Sequence, residues 1–344
     1  MSVKYLKWLA GLAAMALLLS SPQDAARGAA RAMAQWYASV APALFPFLAL
    51  MPLLTSEAAM AAYEALLSRF MGACFNLPGA AAPGMIAGMV AGTPAGALAA
   101  RNIAARGDID RGQLQRLAAA TAGFSPAFLV GGIGAGMLNS AAAGWRLMAA
   151  QLLTQIALLA LLRHHREGRV EPVAAAGGAV EDRPIRGAVQ SILTVCGYMT
   201  LFGALTGVAG RWIGQGASNL ALCLLDVPSG AVQIGKLPLP EGIRAILLAG
   251  MCGFGGLCLI AQSLDALKGC GVSAGAYIAV RALAGLLGAG FMAALQGLPS
   301  LEDMRWIDSV RRNPLAMGAL ITALMAIPVL KRQINIASNN VKRR

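Results

Sequence analysis

Apolar runs of the length that crosses a bilayer recur along this chain, and they leave it little choice of solvent. They occupy residues 8–20, 40–55, 82–100, 118–138 and 144–162, then 187–210, 245–265, 274–295 and 315–330. About 30 Å of hydrocarbon calls for roughly 20 residues of helix. These runs carry Gly, Ala and Leu where a solvated helix would carry charge. Across 344 residues, 58% are hydrophobic and 12% charged, with a mean hydropathy of +0.65; a soluble domain carries about 25% charged residues. The expectation is an all-α polytopic membrane protein of about eight to ten apolar segments, with the lipid bilayer as its main partner.

The net charge of +13 does not point to nucleic acid, because the 28 basic residues are dispersed over short loops and both ends instead of lining one face. Basic clusters flanking membrane segments mark cytoplasmic ends. Lys4 and Lys7 precede the first run, and Lys331, Arg332, Lys342, Arg343 and Arg344 follow the last, so both termini are expected in the cytoplasm. The first run is read as an uncleaved anchor: Asp24, Arg27 and Arg31 follow it in an amphipathic segment with no A-x-A site directly after. The six cysteines form no CxxC pair, and the two histidines, His164 and His165, are adjacent in a polar loop, so neither a metal nor another cofactor is expected. No HExxH, GxSxG or P-loop is present, which argues against an enzyme and against transport driven by hydrolysis within this chain.

A polar connection at 163–186 separates two stretches with landmarks in the same order. Leu44-Phe45-Pro46-Phe47-Leu48-Ala49-Leu50 is answered by Leu201-Phe202-Gly203-Ala204-Leu205-Thr206-Gly207. Asn76-Leu77-Pro78-Gly79 is answered by Asp226-Val227-Pro228-Ser229, and the glycine-rich 88–96 by 250–256. The organisation expected is an anchor and amphipathic segment at 1–39, a first membrane repeat at 40–162, the linker, a second repeat at 187–298, and a loop, last span and basic tail at 299–344.

Repeated halves with interrupted apolar segments point to a transporter with its site near the midplane. Gly and Pro release backbone groups from the helical ladder, and in hydrocarbon these survive only against protein or a polar cavity. Gly92-Thr93-Pro94 and Gly253-Phe254-Gly255-Gly256 are the expected breaks, re-entrant or spanning. Gly131, Gly132, Gly134 and Gly136 are read as close-packing positions instead.

On these residues the chain resembles the sporulation integral membrane protein YlbJ family, also called SpoVV, whose halves belong to the nucleoside-recognition or Gate domain class. The resemblance runs over 41–298 and is carried by Ala41-Pro42-Ala43-Leu44-Phe45-Pro46-Phe47, Asn76-Leu77-Pro78-Gly79, 88–96, Ser125-Pro126-Ala127-Phe128, and Gly253-Phe254-Gly255-Gly256 with Gln262. It departs from the family pattern before Ser125, where Thr121-Ala122-Gly123-Phe124 replaces an Asn-rich approach. The resemblance implies a fold similar to concentrative nucleoside transporters with paired re-entrant hairpins. It also implies movement of dipicolinic acid across the outer forespore membrane during endospore formation.

The candidate substrate-binding residues are Gly92, Thr93, Pro94, Ser125, Gly253, Gly255, Gly256, Gln262 and Arg281. Arg281 lies well inside an apolar run, where it would grip a carboxylate through paired hydrogen bonds, or snorkel, or neutralise Asp265. Gln262 offers an amide to a ligand or to a neighbouring helix. Thr93 and Ser125 place hydroxyls beside a break, or bond back to their own helix. The function expected is transport or facilitation of a small anionic or heteroaromatic solute, a nucleoside or dipicolinate. The alternative is a non-transporting scaffold for spore-envelope assembly. A coupling ion, a second copy of the chain and sporulation membrane proteins are the other partner classes considered.

Overall fold

A computed structural model describes residues 3–164, 184–212 and 224–297. Most of the linker, His165, the expected last span at 315–330 and the basic tail lie outside the described residues. Within them the chain is helical, with no strand.

Helix α1 (Val3–Ser20) gives way at Ser21 to α2 (Pro22–Gln35), whose proline sits at the helix start where its missing N–H costs nothing. A π-helical turn at Trp36–Val40 leads into α3 (Ala41–Leu54). Helix α4 (Glu57–Phe75) is capped by Ser56 and ends on Asn76 in the left-handed conformation. Then come α5 (Ala82–Val90), α6 (Ala95–Ala105), α7 (Arg111–Thr121), a π-helical stretch at Ala127–Ala135, and α8 (Ala141–Leu161). After the linker follow α9 (Pro184–Trp212), α10 (Val227–Gly235), α11 (Glu241–Phe254), α12 (Gly256–Ala266) and α13 (Ala274–Leu295).

Four helical stretches are long and apolar enough to cross a membrane: Ala141–His164, Pro184–Gly210, Glu241–Ala266 and Ala274–Leu295. Two bent pairs, Pro22–Val40 with Leu44–Leu54 and Glu57–Phe75 with Gly79–Val90, raise the number to six if each counts as one span. The eight to ten apolar segments of the sequence therefore correspond to four to six candidate spans among the described residues. Among the described residues, 82–100 and 118–138 fold as short helices interrupted by non-helical backbone, not as straight crossings, and the first run gives only a shorter apolar helix, Gly11–Ser20.

Small residues set the helix contacts, as expected where lipid leaves little hydrophobic gain in bringing helices together. A side chain at Gly28 would overlap the backbone of Gly203 and Gly207, so α2 lies directly on α9. Likewise Gly253 faces Ala284 and Gly285, and Gly288 faces Ala249, seating α11 on α13. Gly134 abuts Gly144, in keeping with its reading as a packing position. Three buried clusters result. Met71, Phe75, Ile103, Leu117, Leu158 and Tyr277 join α4, α6, α7, α8 and α13. Leu129, Ile133, Leu147, Ile234, Leu248 and Met292 join the second π-helical stretch to α8, α10, α11 and α13. Leu44, Leu48, Ala99, Ile192 and Met199 join α3, α6 and α9.

Candidate functional site

Three backbone interruptions converge where those clusters meet. The first is at 91–94. Gly92 has φ of 79°, and a Cβ there would lie 2.7 Å from the Gly123 carbonyl oxygen, so no other residue suits the position. Thr93 follows, joined to Pro94 by a cis peptide bond. The second interruption, at 122–126, is tied to the first: Thr93 N–H donates to the Gly123 carbonyl at 2.9 Å, and Gly123 N–H donates to Thr93 Oγ1 at 3.3 Å. The third is at Gly255, φ 92°, and Gly256, φ 71°, between α11 and α12.

Broken backbone inside a membrane protein needs partners for every freed group, and here they can be named. Gln151 of α8 accepts from Phe124 N–H at 2.9 Å and donates to the Phe124 carbonyl at 2.8 Å. Gln155, one turn on, donates to the carbonyls of Thr121 at 2.8 Å and Ala122 at 3.4 Å. Arg281 of α13, 1% exposed, donates to Ala119 and Ala122 at the end of α7, and to Cys252, Gly253 and Phe254 at the end of α11. Its charge thereby sits at two helix C-termini, where the dipoles favour a cation.

Between the interruptions lies a cavity of about 80 Å³, room for several waters at ~10–15 Å³ each. Ala91, Thr93, Gly123, Phe124, Ser125 and Gly255 bring the interruptions to its wall, and Leu44, Val195, Met199, Cys258 and Leu259 supply apolar surface. Its polar groups include Thr93, Ser125, Asp226 and Gln262. The rings of Phe124 and Phe128, both in the wall, stack with centroids 5.0 Å apart. Gln262 is 8% exposed and donates to Cys258 Sγ at 3.3 Å, a weak partner for an amide.

Two further cavities adjoin this one. A cavity of about 330 Å³ shares Val195 and Gln262 with it and is lined also by Pro94, Arg101, Gln190, Ser191 and Asp265. A cavity of about 740 Å³ shares Pro228 and is lined by Arg27, Arg31, Thr206, Ser229 and Lys236, among others.

No family model matches the chain, and no solved structure matches it. It is similar to the sporulation integral membrane protein YlbJ of Bacillus subtilis (strain 168), with 26% identity over 325 residues, covering 81% of this chain and 79% of that protein. The likeness extends through most of both proteins and is not confined to one segment.

The residues singled out from sequence divide by position. Thr93, Ser125, Gly255 and Gln262 line the central cavity, and Pro94 lines the adjoining one. Gly92 lies beneath the wall against Gly123, and Gly256 opens α12. Gly253 is helical and packs on α13, so the interruption begins two residues later than 253. Arg281 stands behind Gly255 with its guanidinium committed to backbone carbonyls, and bridges neither to Asp265 nor to an interface. Sequence reading missed Asp226, Phe124, Phe128, Gln151 and Gln155. The spacing of Gln151 and Gln155, i and i+4 inside an apolar run, was the available signal for the last two.

Proposed function

We propose that this protein is a membrane transporter or facilitator that passes a small anionic or heteroaromatic solute through the central cavity without transforming it. One observation carries the reading: α9 borders all three cavities in succession along its length. Gly187, Ser191 and Val195 border the first, Val195 and Met199 the central one, and Gly203, Gly207 and Gly210 the third. Spacings of three and four residues set these positions along one continuous ridge that winds about half-way round the helix. From 187 to 210 the helix rises roughly 35 Å at 1.5 Å per residue, comparable with the ~30 Å hydrocarbon thickness. The cavities are thus disposed along a membrane-crossing direction, with the smallest in the middle.

The wall chemistry supports the solute class. Phe124 and Phe128 offer an aromatic surface to a planar ring, while Gln262, Thr93 and Ser125 offer hydrogen bonds beside it. Helices α6 and α12 both begin at the interruptions, bringing positive dipole ends toward the cavity. At one mouth Arg31 and Lys236 leave a positive excess over Asp24, which pairs with Arg27, and favour entry of an anion. The B. subtilis relative is named as a sporulation integral membrane protein. A role in endospore formation, with dipicolinic acid as solute, the outer forespore membrane as location and both termini cytoplasmic, extends that likeness to this chain. A nucleoside satisfies the same aromatic and amide groups and is the solute to compare.

The test is uptake into liposomes containing the purified protein, with dipicolinate and a nucleoside panel, for the parent chain and for Gln262→Ala. Saturable uptake of one solute, reduced at least several-fold in the variant while insertion is unchanged, is the expected result. Absence of uptake of every solute by inserted protein overturns the reading in favour of a scaffold.

A further inference from the structure

Asp226 is the acidic side chain in the wall of the central cavity, and its setting is unusual for a carboxylate. It is 5% exposed. It caps the start of α10, and both of its hydrogen bonds fall on one oxygen: Oδ2 accepts from Ser229 N–H at 3.1 Å and from Ser229 Oγ at 2.6 Å. Oδ1 has no hydrogen-bond partner among the described residues.

Nor, among the described residues, does a cation face it from the elements around it. The cavity wall, drawn from the π-helical turn at Trp36–Val40, α3, the interruptions, α9, α10 and α12, contains no Lys, Arg or His among the described residues, and Cys258 is its other titratable group there. Arg281 is committed to carbonyls behind Gly255. Arg101 lines the neighbouring cavity and donates to the Ala266 carbonyl. Arg244 of α11 donates to the Gly235 carbonyl, at the opposite end of α10. Arg27, Arg31 and Lys236 line the cavity beyond Pro228. Among the described residues an ionised carboxylate in such a place is relieved by the α10 dipole and Ser229, and burying it without a counter-charge is expensive. An anionic solute entering the same small cavity would add like-charge repulsion.

We propose that Asp226 is a proton-binding site that couples proton and solute-anion entry, so that the cavity takes an anion when this carboxyl is neutral. A proton arriving through either mouth converts –COO⁻ to –COOH. The neutral acid then removes the repulsion, and its O–H can donate to a solute carboxylate. Solute and proton favour each other's binding by the same factor, as linkage requires. The coupling rests on the transport reading above, whereas proton binding at Asp226 does not, and the two are measured separately.

The proton site is tested by infrared titration of the purified protein in nanodiscs. A protonated-carboxyl band that titrates with pH, is absent in Asp226→Asn, and gains intensity when dipicolinate is added is expected. Asn retains a good helix cap, and Ser229→Ala serves as a second variant. Loss of the Ser229 hydroxyl's hydrogen bond to the ionised form, with the backbone N–H bond kept, moves the same band's titration to higher pH. A band that is unchanged in both variants, or an Asp226 carboxyl that stays ionised down to mildly acidic pH, overturns the proposal whether or not transport is found. Coupling is read in proteoliposomes as the ratio of uptake with and without an inward acid gradient. One proton per solute permits an accumulation of about tenfold per pH unit in the parent chain, and the ratio falls to about one in Asp226→Asn. Accumulation driven by a sodium gradient and indifferent to pH overturns the coupling. Failure of all uptake with an intact Asp226 band overturns the transport reading and the coupling together, leaving the proton site standing.

Discussion

Arg281 is where residue identity and residue role part company. Its place inside an apolar run marks it as costly and therefore purposeful, and that much is legible in the sequence. Its partners are not, because they are backbone carbonyls of α7 and α11 that exist as acceptors only once both helices have ended. A buried acceptor stripped of its partner costs about 1–3 kcal/mol, and Arg281→Ala strips several at once. The expected outcome is a loss of folded protein, seen as a lower thermal midpoint and a poor monodisperse yield in detergent. Arg281→Lys fails in nearly the same way, since one ammonium cannot span two helix ends as a planar guanidinium does. A stable, well-inserted Arg281→Ala protein with only weakened solute affinity would instead place this side chain in the binding site. Gln262 is the contrasting case: its position one or two turns after the glycine break was readable, and it does lie on the cavity wall. Asp226 figures in the sequence only within the repeat landmark Asp226-Val227-Pro228-Ser229, and only tertiary packing shows what surrounds its carboxylate.

At the scale of elements, glycine with its left-handed conformation announced two of the interruptions, at Gly92 and at Gly255. Each is followed by a helix of 11 residues, and Arg101 and Gln262, the seventh residue of each, both border the same flanking cavity. The interruption at 122–126 was far less visible. Thr121-Ala122-Gly123-Phe124 sits inside a continuous apolar run, and what ends α7 there is a set of partners on another helix, Gln151 and Gln155 of α8. Apolar segments and crossings differ in number for the same reason, since hydropathy registers apolarity and not where the hydrogen-bond ladder stops. Gln151→Leu keeps the side chain's bulk but leaves both the N–H and the carbonyl of Phe124 unpaired. It is expected to destabilise by about 2–6 kcal/mol, from two buried groups at ~1–3 kcal/mol each, and to lower the thermal midpoint accordingly. Unchanged stability in that variant would mean that water or a rearranged backbone already serves Phe124.

Taken as a whole, the molecule places its smallest cavity between two larger ones along a single helix, and this arrangement makes a geometric demand on α9. If the ridge borders a route across the membrane, its two ends face opposite compartments. Ser191 and Thr206 stand on either side of Met199, in the flanking and third cavities respectively. Cysteines at 191 and 206, introduced singly in a background whose native cysteines are replaced by alanine, are therefore expected to react with a membrane-impermeant thiol reagent from opposite faces. Met199→Cys, at the central cavity, should react more slowly from either face, and an added solute that occupies the cavity should slow it further. Labelling of 191 and 206 from one and the same face would show that the cavities are not arranged across the bilayer. In that event α9 would line a surface groove, and the small residues along it would serve helix packing of the kind seen where Gly28 meets Gly203 and Gly207. Opposite-face labelling with solute protection at 199 would require that the route pass the point where the three interruptions meet, and would make Asp226 and Gln262 groups that every transported solute must encounter.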